Sequence, residues 1–383
     1  MHVFCHAVFL FFTFINFVYF GYIIIHLVSW IRLPICVTDS EYAPKTKISI
    51  IVPARNEEAS IGKCTDALAA QIYPVELFEL IVVDDHSTDK TKEVTEKTVS
   101  SLKIRAKAIS NNETEQGKKN AITKGIKNSS GELIVITDAD CQSNSKWLLT
   151  IESEYQKTGA YMFCGPVELA NESGFLGHFQ SLELCGLSLL SGAGINMGLP
   201  LLCNGANLAY TREVFNEVGG FKGIDDHPSG DDILLMFKVH KKHQGKIQYV
   251  KSKDAFVSTS AQMFLHDFIE QRIRWTSKAR IAKNRGNSLV SMLVFFANFL
   301  SLIAILCILV HEKLFFPLMC GIAAKILADF LLLLIGTHFF GKKKLLWIFP
   351  LAEIFTMLYV TWVGIAANFS SYSWKGRYYK QAL

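Results

Sequence analysis

The sequence predicts an α/β domain on an open parallel sheet, flanked at both ends by membrane-spanning helices. Three observations carry that prediction. Long apolar runs are gathered at the two ends of the chain, and short β-branched runs alternate with helix-like stretches between them. The composition is also intermediate: of 383 residues 50% are hydrophobic and 19% charged, greasier than a soluble protein but too charged for a wholly membrane chain. Disorder is excluded by the abundance of aromatics and the low charge. A net charge of +5 gives no argument for nucleic acid. Nine cysteines without a C-x-x-C pair suggest neither a disulfide framework nor a zinc site, so reduced thiols in a cytosolic domain are expected.

The run from Val3 to Ile31 exceeds the roughly 20 residues that a spanning helix needs. No basic region precedes it and no small-residue cleavage site follows, so it reads as an uncleaved anchor. Three further runs, Leu289 to Val310, Leu314 to Phe340 and Leu345 to Ala367, can each span, and only His311, Glu312 and Lys313 join the first two. Basic clusters set the orientation. Arg32, Lys45 and Lys47 follow the first run, Lys278, Arg280, Lys283 and Arg285 precede the second, and Lys342 to Lys344 separate the last two. All share one side if the chain crosses four times with both termini outside, which makes the middle domain cytoplasmic; the tail, with Lys375, Arg377 and Lys380, opposes that rule. Lys325, Asp329 and Glu353 fall inside the spans, either as a pairing that holds helices together or as the polar lining of a product path.

In the middle, Ile48 to Pro53, Phe78 to Asp85 and Glu132 to Asp140 are dominated by apolar runs rather than alternating, as strands buried on both faces are. Glu58 to Gln71, Lys90 to Leu102 and Lys118 to Lys127 are helix-like, completing a βαβ alternation. The domains expected are therefore 1–44, an anchor; 45–285, the α/β domain; and 286–383, a membrane region with about three helices. Open α/β sheets bind ligands at the carboxyl ends of their strands. There this chain has Arg55-Asn56-Glu57, Asp84-Asp85 and Asp138-Ala139-Asp140.

Asp138 and Asp140, leaving a buried strand, can share a hard divalent cation with a ligand's phosphates, or can merely cap the next helix. Beside Asp84 and Asp85, either Thr88 or Asp89 is expected to cap a helix, with Asp85 turned towards ligand. Gly230-Asp231-Asp232 offers a carboxylate on a turn as a general base, or again a cap. In Gln271-Arg272-Ile273-Arg274-Trp275 the helical spacing puts Gln271, Arg274 and Trp275 on one face, suited to a diphosphate and a sugar ring or to an interfacial helix. Gly192-Ala193-Gly194 opens no early βαβ unit, and Gly117-Lys118 lacks the rest of a P-loop.

Taken in order, SIIVPARNEE, IVVDDHSTD, GKKNAI, TDAD, CNGANLAYTREVF, GDD and QRIRW resemble the membrane-bound family 2 glycosyltransferases with a GT-A domain. The Q-x-x-R-W stretch is similar to that of cellulose, chitin, hyaluronan and poly-N-acetylglucosamine synthases and of ceramide glucosyltransferases. The resemblance covers roughly Ile48 to Trp275. It implies a Rossmann-like GT-A fold in which Pro53, Ala54, Glu57, Asp84, Asp85, Lys118, Asp138, Gln271, Arg274 and Trp275 bind a nucleotide sugar, a UDP-sugar by family habit. Asp138 and Asp140 would hold Mn²⁺ or Mg²⁺. Asp232 would be the catalytic base with Asp231 beside it, where the family usually reads T-E-D. Asn204, Gly205, Asn207 and Trp275 would face the acceptor. The activity implied is inverting, metal-dependent transfer to a membrane-associated acceptor or growing polysaccharide, the alternative being single-sugar transfer to a lipid. The partners implied are donor, acceptor and membrane lipids, with an accessory subunit left open and no nucleic acid. The location implied is a bacterial cell membrane crossed several times, with the catalytic domain cytoplasmic.

Overall fold

The computed structural model describes residues 2–39, 41–111, 116–225, 230–281, 285–310, 315–367, 372–374 and 377–379. Lys283, His311, Glu312, Lys313, Leu314, Lys375 and Lys380, singled out above, lie outside the described residues. The chain opens with α1 (His2–Arg32) and then alternates: β1 (Ile48–Ala54), α2 (Ile61–Ala69), β2 (Phe78–Asp84), α3 (Thr91–Ser101), β3 (Arg105–Ser110), α4 (Lys118–Lys127) and β4 (Leu133–Ile136). Next come β5 (Gln142–Ser143), α5 (Trp147–Thr158), β6 (Met162–Cys164), β7 (Val167–Ala170), α6 (Gly174–Asn196), β8 (Leu208–Thr211), α7 (Arg212–Glu217) and α8 (Ile233–Lys242). The remainder is β9 (Ile247–Tyr249), β10 (Val257–Ser260), α9 (Leu265–Ile281), α10 (Arg285–Val310), α11 (Phe315–Phe340), α12 (Phe349–Ala366), β11 (Tyr372–Trp374) and β12 (Arg377–Tyr379).

The chain divides into two compact units. One comprises Leu33–Asn171 and Gly194–Ala261 and holds the main sheet, seven strands in the order β3-β2-β1-β4-β8-β6-β9. β3, β2, β1 and β4 are parallel, and Ile48 lies opposite both Phe78 and Leu133. β8 runs antiparallel to both its neighbours, so the sheet is mixed rather than wholly parallel. The apolar runs became the inner strands because helices cover both sheet faces: every residue of β2 and β4 is buried. β3 escaped the sequence reading because it is an edge, with Arg105 and Lys107 exposed. Parallel pairing brings Ala54, Asp84 and Ile136 to one sheet edge, where ligands meet such sheets.

The second unit gathers Met1–Arg32, Glu172–Ala193 and Gln262–Leu383. Among the described residues four helices are long and apolar enough to cross a membrane, over Phe11–Arg32, Arg285–Cys307, Leu318–Phe340 and Lys343–Ala366. Phe12 packs with Ala304, Leu318 and Ile322, joining α1, α10 and α11. Phe179 and Leu182 of α6 pack with Phe268 of α9 and with Ile348 and Ala352, so α6 and α9 belong to this helical unit. Lys325 is fully buried, with Nζ 3.0 Å from Asp329 Oδ2 and an ion pair to Glu353. Tyr19 donates to Asp329 Oδ1 at 2.5 Å. The three charged groups thus tie α11 to α12, and the phenol adds α1, which satisfies groups that would be costly if left alone in hydrocarbon.

Candidate active site

The ends of β1 and β2 are stitched together by their following loops. Asn56 and His86 both adopt left-handed backbone, at φ 52° and 58°. Arg55 Nη1 donates to the carbonyls of Asp85 and His86, each at 2.7 Å. The Thr88 amide donates to Asn56 Oδ1 at 2.8 Å, and the Glu57 amide to Thr91 Oγ1 at 2.6 Å. These bonds set Pro53, Ala54 and Glu57 beside Asp84 and Asp85. The Glu57 carboxylate accepts from Ser60 Oγ at 2.6 Å. The buried Asp85 carboxylate accepts from the Gly117 amide at 2.9 Å and from Asn111 Nδ2 at 3.0 Å. The N-cap position of α3 falls on Lys90 and not on Thr88 or Asp89, the two residues expected to cap; Asp89, one residue before it, accepts from the Thr91 amide at 3.0 Å. Asn111 was not anticipated; Arg55 was placed at the ligand end of the first strand, and Gly117 entered only in a rejected P-loop match.

Lys118, the first residue of α4, is the hub of the next cluster. Its ammonium lies 2.7 Å from Asp138 Oδ1 and 3.1 Å from Asp231 Oδ2. Burial alone would lower its pKa, but Asp138, Asp231 and Asp232 overcome that and hold it well above the usual lysine range. Gly230, at φ 85°, makes the turn before the two aspartates. Asp232 then starts α8, its Oδ1 accepting from the Ile233 amide at 2.8 Å. The cap expected of this turn is therefore Asp232, while Asp231 reaches the Lys118 ammonium. A Cβ added at Gly205 would lie 3.3 Å from Lys118 Nζ, 3.4 Å from Asp231 Oδ2 and 3.5 Å from Asp232 Cβ, so the Asn204–Asn207 loop packs directly on the cluster.

The residues at the end of β4 fit a hard divalent cation. The ligand atoms of Asp138, Asp140 and Cys141 all lie within 4.8 Å of one another. Two carboxylates of this kind suit Mg²⁺ or Mn²⁺. Burial, then Asp140 and Asp138, push the Cys141 thiol well above its usual range, so it stays protonated and donates to Asp140 Oδ1 at 3.4 Å.

Asn207 is buried and its side chain is fully engaged inside the fold. Trp147 Nε1 donates to its Oδ1 at 2.9 Å, and its Nδ2 donates to the carbonyls of Pro166 and Ala255, each at 2.8 Å. It therefore braces the loop, while Gly205 is the loop residue that meets the charged cluster. A Cβ at Gly165 would come within 2.4 Å of the Asn207 side chain. Gly165→Ala should destabilise by about 1–3 kcal/mol. The thermal midpoint of the full chain should drop by roughly 2–4 °C per kcal/mol; an unchanged midpoint would show that Asn207 can shift.

Gln271, Arg274 and Trp275 lie on α9 in the helical unit, all partly exposed, with Arg272 and Ile273 buried between them. The sequence spacing gave Gln271, Arg274 and Trp275 a common face but did not anticipate that Arg272 is buried.

The glycosyl transferase family 2 model matches residues 49–222. Glycosyltransferase AglE of Haloferax volcanii is 34% identical over 127 residues, 33% of this chain and 41% of that protein. The beta-monoglucosyldiacylglycerol synthase of Nostoc sp. is 29% identical over 198 residues, 50% of this chain and 41% of that one. The chain thus spans less than half the length of either of these curated relatives. The mannosyltransferase PcManGT from Pyrobaculum calidifontis, solved with GDP-Man and Mn²⁺, aligns over 95% of this chain and 98% of its own, with a TM-score of 0.56 and 18% identity. At that identity the likeness speaks for the fold alone, a GT-A glycosyltransferase fold.

Proposed function

The chain carries a family 2 glycosyltransferase domain of GT-A fold, and from that premise we propose that it moves a sugar from a nucleotide-sugar donor to a membrane-associated acceptor with inversion. The observation that carries this reading is the Lys118 bridge, which brings Asp138, the first carboxylate after β4, and Asp231, beside Asp232 before α8, around one ammonium, against Gly205. Pro53, Ala54, Glu57, Asp84 and Asp85 bind the nucleoside. Gln271, Arg274 and Trp275 supply an amide, a guanidinium and an indole to the diphosphate and the acceptor.

Asp232 takes the proton from the acceptor hydroxyl. That oxygen attacks the anomeric carbon from the face opposite the diphosphate, and the bond to the leaving phosphate oxygen breaks. Lys118, held charged by its three carboxylates, adds positive potential where negative charge gathers. A Mn²⁺ or Mg²⁺ ion held by Asp138 and Asp140 would neutralise charge on the donor diphosphate. The four apolar helices anchor the chain, and the basic clusters beside them favour a cytoplasmic catalytic domain. The name of the Nostoc relative, a glucosyldiacylglycerol synthase, favours a lipid over a polymer as acceptor.

Membranes carrying the full chain, Mn²⁺ and labelled UDP-glucose, UDP-N-acetylglucosamine or GDP-mannose test the proposal. Label extracted into organic solvent is the expected result. Label in high-mass aqueous material would replace the lipid with a growing polysaccharide, and no label with any of these donors would overturn the donor class.

A further inference from the structure

We propose that Arg272 is a positioning residue that fixes the amide of Gln271 and the indole of Trp275, and that Glu183 and Tyr359 hold it in place. The inference rests on the reading above, in which Gln271 and Trp275 meet donor and acceptor. Arg272 is buried, and its guanidinium lies 4.3 Å from the ring centroids of both Phe268 and Trp275. Its Nη1 donates to Gln271 Oε1. Its Nε donates to Glu183 Oε2 at 2.9 Å, and Nη2 donates to the same oxygen. The Tyr359 hydroxyl donates to the other oxygen, Oε1. Helices α6, α9 and α12 therefore meet at one carboxylate.

The chemistry of each group sets what the motif can present. A guanidinium has only donors, so it can face only the oxygen of the Gln271 amide. That orients the NH₂ end away from Arg272 and makes Gln271 a donor, the polarity a phosphate oxygen requires. The same guanidinium covers one face of the Trp275 ring, leaving stacking of a sugar to the other face. Neither task can pass to lysine, whose ammonium lacks both the plane and the fork. Glu183 balances the buried charge and Tyr359 fixes the carboxylate. A lone carboxylate within the apolar run of α6 was the sequence signal for such a buried partner.

The test uses the full chain in lipid nanodiscs with Mn²⁺ and the donor panel above, comparing wild type, Gln271→Ala, Arg272→Lys and the double variant. A misplacement of about 1 Å costs on the order of 10²-fold, so each single variant should lose about that in kcat/KM for the donor. The double variant should lose no more than the worse single one, because residues acting as one unit are not additive. Losses that multiply, towards about 10⁴-fold, would overturn the proposal. If Arg272→Lys does not fold, Tyr359→Phe leaves the Arg272–Glu183 pair intact. It should cost about tenfold, less than a full misplacement, and nothing further in the Gln271→Ala background. A wild-type chain that transfers no sugar would count against the functional reading rather than the clamp. The same cycle is then read in calorimetric binding of UDP and GDP, where coupled losses support the clamp and independent ones sink it.

Discussion

Asp232→Asn is expected to bind the donor normally and to lose nearly all transfer. The substitution is mild for the fold: Asp232 begins α8 by accepting from the Ile233 amide at 2.8 Å, and the amide oxygen of Asn can accept the same bond. It is severe for the chemistry, because an amide cannot take a proton from the acceptor hydroxyl. A base within hydrogen-bond reach contributes about 10²–10⁴-fold, and the loss in kcat should fall in that range. Lys118 keeps its contacts to Asp138 and Asp231, at 2.7 and 3.1 Å, so the residues proposed for the diphosphate stay in place. Calorimetric titration with the donor, beside turnover measured on the same sample, separates the two effects. Turnover at the wild-type rate would remove Asp232 from the mechanism and make Asp231 the next candidate.

Much of the α/β domain was legible because its central strands are mostly apolar. β1, β2 and β4 announce themselves in that way, and the predicted helix Lys118 to Lys127 is α4 residue for residue. Elements whose identity depends on distant partners were not legible. β3 is an edge strand with outward charges, and β8 directly follows the Asn204–Asn207 stretch read as an acceptor loop, where no strand was expected. The helix α6 was part of the middle domain in the sequence reading, yet it packs with α9 and α12, far along the chain. The site divides in the same way. Asp138, Asp140, Asp231 and Asp232 could be picked out by their positions after strands and turns. That Lys118 bridges Asp138 to Asp231 is a product of the sheet order, which sets β8 beside β4, and no local pattern encodes it. Trp147 bracing Asn207, and Glu183 bracing Arg272, are likewise contacts between residues that no short motif contains.

Lys118→Met should slow transfer and yet tighten cation binding, a combination that a merely structural lysine would not produce. In the wild type the ammonium is the counter-charge of Asp138, one of the two carboxylates proposed to hold the ion. Two unit charges about 4 Å apart interact by about 1 kcal/mol even at the dielectric of water, and a divalent ion doubles that. Removing the lysine charge should therefore improve Mn²⁺ affinity by about 30-fold, read by the electron paramagnetic resonance of free Mn²⁺. Transfer should nevertheless fall by about 10²–10³-fold, since one preorganised charge facing the leaving group is lost. The variant is also expected to be less stable without metal, because Asp138, Asp231 and Asp232 would face one another with no cation between them. Breaking a buried pair costs about 3–5 kcal/mol. The Asp138 side chain is 36% exposed, so solvent screening brings the cost below that range. Mn²⁺ should then raise the thermal midpoint of the variant more than that of the wild type, since a ligand that binds only the folded state stabilises by an amount that grows with the logarithm of its affinity. Weaker Mn²⁺ binding in Lys118→Met would mean that the lysine orients Asp138 for the ion instead of competing with it, and its charge would then have no separate part in the reaction.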